Sequence, residues 1–249
     1  MDYDPALLAA ITGTFLLAGS VKGVIGLGLP TVTLGLMTLL LDLPSAMALL
    51  VVPSLATNIW QASVGGNARA IFSRIWPFLV AATVTVWIGA LALSRVDLSY
   101  LSGLLGLLLV AYAASGLAGF RLTLSPESAR RSGPLFGAVN GVLTGMTGSF
   151  MVPGVLYLQA LGLSRDMLVQ AMGMLFTLST AALALALGQS NLVSAELGMV
   201  SALGLLPAIL GMVLGQKIRG RLSEELFRSV FLIGVLLLGL YITAQAALA

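Results

Sequence analysis

Lys22 is the only charged residue inside any long apolar stretch of this 249-residue chain. An ammonium group in hydrocarbon is costly unless paired, so a lysine there reads first as the counter-charge to an anion. It stands in a glycine-rich segment, Gly19-Ser-Val-Lys22-Gly23-Val-Ile-Gly26-Leu-Gly28-Leu-Pro30. A second segment repeats the pattern as Gly141-Val-Leu-Thr144-Gly145-Met-Thr-Gly148-Ser149-Phe-Met-Val-Pro153. Glycine at this density interrupts a helix, and proline suits the first turn of the helix that restarts, near Pro30-Thr31 and near Pro153. Non-helical backbone survives at membrane depth only where protein buries it or it lines a wet cavity. The free N–H groups and positive dipole end of a restarting helix would then form an anion site. The two breaks are expected to meet near the centre, with backbone donors around Gly28–Thr31 and Gly148–Pro153. A packing role competes with this one, because Gly19/Gly23 and Gly141/Gly145 are both GxxxG pairs. Snorkelling competes for Lys22. Counted from Pro5, 17 residues at about 1.5 Å each carry it roughly 25 Å, towards the far interface.

Amides and hydroxyls supply the remaining candidates. Ser54, Asn58 and Gln61 fall on one helical face beside Thr57, with Pro53 there to kink the helix and release a carbonyl. The corresponding stretch of the second half carries Gln170, Thr177 and Thr180. Asn58, Gln61 and Gln170 read as lining a pore or site; the hydroxyls read as bonding between helices. The chain has no cysteine and no histidine, which removes disulfides, thiol chemistry and the commonest transition-metal ligands. No ATP-binding loop, paired carboxylates or nucleophile–base set is present, so the chain reads as no enzyme and as needing no cofactor. A retinal-type Schiff base at Lys22 would lack an intramembrane carboxylate as counter-ion. Proton coupling stays open: Asp42, Asp166 and Glu196 sit at span ends, leaving Lys22 or a protonated substrate as carriers.

The elements that position these groups follow from composition. The chain is 59% hydrophobic and 8% charged, against about 25% charged in a soluble domain. Its mean hydropathy is +1.07. This is an all-α polytopic membrane protein; a soluble enzyme, a disordered chain and a nucleic-acid partner are excluded. The acidic start, Met1-Asp2-Tyr3-Asp4-Pro5, is unlike a signal peptide, so the first apolar stretch is expected to stay as structure. Plain apolar stretches run over 44–65, 75–93, 98–118, 167–188, 197–215 and 229–247, and glycine-interrupted ones over 6–41 and 134–162. Trp76, Tyr100 and Tyr241 suit an interfacial belt, and the 217–228 cluster a cytoplasmic anchor. The order repeats after about 120 residues. Residues 1–118 form a first membrane repeat, 119–133 a cytoplasmic linker and 134–249 a second repeat.

Arginine placement decides how the interrupted stretches run. If each crosses once, the basic residues outside the stretches divide 5 to 6 between the two faces; if each returns to its own side, they divide 10 to 1, with Arg95 alone. The positive-inside rule selects the second arrangement. Both termini then lie outside, and each half is a broken re-entrant hairpin plus three spans. The halves have opposite orientation, an inverted repeat of the kind many secondary transporters use.

The segment ending Gly26-Leu27-Gly28-Leu29-Pro30, the Asp42-Leu43-Pro44 turn and the second copy at Gly141–Pro153 resemble the TauE/SafE sulfite exporter family over essentially the whole chain. Leu29, and Ser149 and Phe150 in the second copy, stand where that family often has consecutive glycines. The resemblance implies transport of a small sulfur-containing anion, such as sulfite, sulfoacetate or a related organosulfonate, across the bacterial inner membrane. The expected contacts are Lys22, Gly23, Gly26, Gly28, Pro30, Thr31, Asn58, Gln61, Thr144, Gly145, Gly148, Ser149, Pro153, Gln170 and Thr177. A secondary carrier working by alternating access is the leading reading, with export the expected direction. A passive anion channel with the same symmetric pore and a non-transporting membrane scaffold remain as rivals, and the oligomeric state is open. The topology has a direct test: single cysteines at Ser45 and Ala195 should label from outside and one at Ser132 from inside. Labelling of Ser45 and Ser132 from one face would overturn the inverted arrangement.

Overall fold

The computed structural model describes residues 4–190, 194–221 and 223–248, the side chain of Glu224 excepted. Asp2, read above as part of an acidic outer terminus, lies outside the described residues. Among the described residues there is no strand. The order is α1 (Pro5–Ile25), α2 (Leu29–Met37), α3 (Leu43–Ser63), α4 (Ala68–Val84) and α5 (Val86–Ala90), the last running into a 3-10 turn at Leu91–Ser94. There follow α6 (Leu98–Leu117), α7 (Pro126–Thr147), a π turn (Met151–Val155), α8 (Leu156–Ala160), α9 (Arg165–Gln189), α10 (Ala195–Arg219) and α11 (Glu224–Leu248). Seven of the described helical segments are long and apolar enough to cross a membrane. The chain is therefore a multi-pass membrane protein.

Several helices outrun their apolar stretches because a polar cap starts them. The side chains of Asp42, Ser164 and Ser194 accept from the N–H groups of Ser45, Met167 and Leu197. Ser125 caps α7 in the same way, with Pro126 in its first turn and an Arg131–Glu127 ion pair at 2.7 Å. As a result α7 begins inside the stretch read as a linker, which shortens that connection. Ser45 is buried and Ala195 exposed, so Ala195 is the better labelling position of the two.

In both interrupted stretches the segment after the break packs against the helix before it. Val32 and Leu36 of α2 share a groove with Val21 and Leu17 of α1, while Leu39 and Leu40 share one with Ala10 and Gly13. In the second half, Tyr157 stacks on Phe136 at 5.3 Å and on Phe78 at 4.6 Å, and its hydroxyl donates to the Ala129 carbonyl. The two restarts differ. α2 begins regularly at Leu29 with Pro30 in its first turn. No regular helix restarts at Pro153, which lies in the π turn after the extended Val152, so α8 starts only at Leu156.

Close seams hold the bundle together. Gly19 and Gly23 lie against the backbone of α10 at Ala208 and Met212, and Gly141 and Gly145 against α4 and α5 at Ala82 and Val86. A Cβ at any of the four would run into a backbone carbonyl. The packing role of the two GxxxG pairs is thus realised, with residue numbers rising together along both members of each pair. Two further seams are antiparallel. In α3–α9, Gln61 donates to the Val169 carbonyl at 2.8 Å. In α6–α11, Gly106 faces Gly239 and Thr243 while Gly116 faces Leu232.

Pro53 interrupts the hydrogen-bond ladder of α3 as expected. The Leu49 carbonyl it leaves without an N–H accepts from the Ser201 hydroxyl of α10 at 2.7 Å, and the Val52 N–H donates to the same hydroxyl at 3.1 Å. Ser201→Ala should therefore lower stability by about 1–3 kcal/mol, the cost of stranding buried polar groups. Gly145→Val should lower it by about 1–3 kcal/mol through overpacking. Thermal unfolding in detergent measures both, and an unchanged midpoint in either variant would contradict the seam it tests.

Candidate functional site

α1 stops because Gly26 adopts a left-handed conformation (φ 78°) that L side chains avoid, its N–H closing on the Lys22 carbonyl at 2.8 Å. Lys22 therefore sits one turn before the end of α1. Its side chain reaches α3, where the ammonium donates to the Thr57 hydroxyl at 3.0 Å and to Asn58 Oδ1. The residue is only 4% exposed. A snorkelling lysine would send its charge to the interface; this one turns inward. The Thr57 hydroxyl spends its own hydrogen on the Pro53 carbonyl at 2.7 Å, which leaves its lone pairs for the ammonium. The kink residue thus orients an acceptor of the charge.

Lys22 opens on a cavity of about 500 Å³ between α1, α3, α9 and α10. Gly23, Gly26, Thr57 and Gln61 line it, together with Trp60, Asp166, Val169, Gln216 and Arg219. One buried ammonium, a guanidinium and a carboxylate give the walls a formal charge of +1. The N-terminal turn of α9 adds a positive dipole end. A second cavity, of about 530 Å³ between α1, α2 and α11, is walled by aliphatic and phenylalanine side chains. Its one polar side chain, Ser20, donates to its own helix, so this cavity suits apolar matter rather than an anion.

The other predicted residues are dispersed. Gly28 (φ 109°) packs against Val21 and Phe231, and neither it nor Pro30 or Thr31 lines the cavity. Among the described residues the buried Thr31 hydroxyl has no partner. Gly145 belongs to the seam with α5. Gly148 (φ 72°) caps α7 by donating to the Thr144 carbonyl at 2.7 Å, while Thr144 donates its hydroxyl to the Ser149 carbonyl at 3.0 Å. Thr177 donates to the Gly173 carbonyl of its own helix. Gln170 is a clamp rather than a wall of the cavity: it donates to the Ala62 carbonyl at 2.8 Å and accepts from the Asn67 N–H at 3.0 Å.

The breaks do not meet near the centre. Gly26 faces Val169, the fifth residue of α9, and Gly148 faces Met47, the fifth residue of α3. Because α3 and α9 are antiparallel, these are opposite ends of the pair. Val169 is bonded to Gln61. The 14 residues from Met47 to Gln61 span roughly 20 Å. The sequence reading missed Asp166 and Arg219 as cavity residues because charges at span ends look like interfacial anchors. It also missed Asn140, whose Oδ1 accepts from the Gly154 N–H at 2.9 Å and so ties the π turn to α7. An amide directly before Gly141, in a stretch otherwise free of amides up to Gln159, was the available signal.

A multi-pass helical bundle with a buried cation at the wall of a polar cavity has the construction of a membrane transporter. The family model for "Sulfite exporter TauE/SafE" matches residues 11–242, and the chain belongs to that family of membrane transporters. No curated protein and no solved structure matches the chain. The clamp at Gln170 leads to a separable prediction. Gln170→Met should lower thermal stability by about 1–3 kcal/mol and leave anion affinity within twofold; a tenfold loss of affinity would return Gln170 to the site.

Proposed function

We propose that this protein is a secondary carrier that exports a small sulfur-containing anion, such as sulfite, sulfoacetate or a related organosulfonate, by alternating access across a bacterial inner membrane. The observation that carries this reading is the state of Lys22. Its ammonium is buried, and among the described residues both groups it donates to are neutral. An ammonium has three donors, and two are engaged. The third can take a ligand oxygen in the cavity that Lys22 lines without breaking an existing bond. An oxyanion would supply the opposite charge that this cation lacks. Removing it again would restore a buried charge without a counter-ion, which costs several kcal/mol.

The packing pattern supports two inverted repeats with re-entrant hairpins. α1 packs on α10 as α7 packs on α4 and α5, while α3 packs on α9 and α6 on α11, each helix on its own counterpart. A two-fold axis that relates antiparallel neighbours runs across the helices, in the membrane plane. The 10-to-1 division of basic residues supports a cytoplasmic mouth for the Lys22 cavity, since Arg165, Lys217 and Arg219 sit at that end. Both termini would then face outward.

Lys22→Met keeps the volume and removes the charge. It should fold and lose at least tenfold in affinity for sulfite. Thermal-shift titration of purified protein with sulfite, thiosulfate, sulfate, sulfoacetate, taurine and a carboxylate control measures this, because a ligand at about 100 Kd adds roughly 2.7 kcal/mol. Equal stabilisation of wild type and variant by sulfite would remove Lys22 from the site.

A further inference from the structure

We infer that the second half holds the opposite vestibule of the transport path: a closed counterpart of the Lys22 cavity that takes the same oxyanion on the neutral hydroxyls of Ser179 and Thr180. The inference rests on the carrier reading above and adds where the anion goes after it leaves the ammonium.

Equivalent positions of the two halves lie 122 residues apart, as Gly19 and Gly141 do. The structure keeps this spacing. α3 and α9 start 122 residues apart, and so do the left-handed caps Gly26 and Gly148, which close on Lys22 and Thr144. On this mapping Thr57 and Asn58, the two acceptors of the ammonium, correspond to Ser179 and Thr180. The cavity residues Trp60, Val64 and Val169 correspond to Ala182, Ala186 and Met47. The first set surrounds open space. The second is shut, with Ala182, Ala186 and Met47 each no more than 2% exposed.

An independent observation points to a ligand there. The Ser179 and Thr180 hydroxyls are fully buried and, among the described residues, have no hydrogen-bond partner. A hydroxyl in a membrane helix ordinarily turns back to the carbonyl four residues earlier, as Thr177 does in the same helix. Two adjacent hydroxyls left without a bond are donors in waiting. Trp87 Nε1 of α5 meanwhile donates to Oε1 of Gln189, the last residue of α9, at 3.1 Å. This bond joins the two helices at the end where the closed vestibule would open. Thr144 stands at the position of Lys22, and its hydroxyl is already bonded to Ser149. The second vestibule therefore offers no cation, and it holds an oxyanion more weakly than the first.

The chain has no cysteine, so single cysteines report cleanly. Ala182→Cys and Ala186→Cys are treated with a membrane-impermeant maleimide from the face that labels Ala195→Cys. Sulfoacetate serves as the substrate probe because, unlike sulfite, it does not consume the reagent. Both cysteines should label, and Trp87→Phe should raise the rate roughly two- to tenfold by removing the bond to Gln189. Ser179→Ala combined with Thr180→Val should slow sulfoacetate efflux at least tenfold. Cysteines that stay inert from that face, with and without sulfoacetate and in the Trp87→Phe background, would overturn the inference. Gln216→Cys, in the Lys22 cavity, separates the two readings. If sulfoacetate protects it while the Ala182 and Ala186 cysteines stay inert, the second vestibule falls and the Lys22 site stands. If those cysteines label while Gln216→Cys is unprotected, the vestibule stands and the Lys22 site falls.

Discussion

Hydrocarbon offers no hydrogen-bond partner, so a polar group at membrane depth must be satisfied by the chain itself. This constraint accounts for the helices and for the repairs made wherever a helix is interrupted. Gly26 and Gly148 close the ends of α1 and α7 with their own N–H groups. Ser201 bridges the gap that Pro53 makes in α3, and Asn140 catches the Gly154 N–H beyond the second break. The groups left over then carry information. Among the described residues they are the charge of Lys22, which donates to neutral acceptors, and a small set of buried hydroxyls and amides without partners.

The two glycine-rich segments carry two distinct jobs in interleaved positions. Gly19 and Gly23 face a neighbouring helix and bring its backbone close, while Gly26, three residues on, has the positive φ that ends the helix. Spacing alone does not separate these jobs. A glycine four residues from another suits a seam, and the same glycine near a proline suits a break. Rotation about the α1 axis assigns each residue to its task. It also aims Lys22 at Thr57 rather than at the interface.

Candidate residues that reached the cavity were those whose signal is local. Lys22 is conspicuous as a charge among apolar residues, and Gln61 as an amide on a polar face. Gln170 carries the same kind of signal as Gln61, yet its amide is consumed by Ala62 and Asn67, whose places opposite it depend on the register of α3 against α9. Asp166 and Arg219 come from sequence-distant span ends, where a charge is unremarkable, and only the convergence of α9 and α10 with α1 and α3 puts them on one wall.

By itself the sequence determined the membrane class, the approximate spans, the two glycine-rich interruptions and the family. Hydropathy and glycine density act over a few turns of one helix, so they can be read without knowing any neighbour. Tertiary structure alone decided which partners hold the ammonium and which glycines form seams. It also set the two breaks at opposite ends of the α3–α9 pair rather than together at the centre. Those outcomes depend on the rotation and register of helices far apart in the chain. These follow from the side-chain shapes of both partners of a seam at once, and no single stretch of sequence contains them.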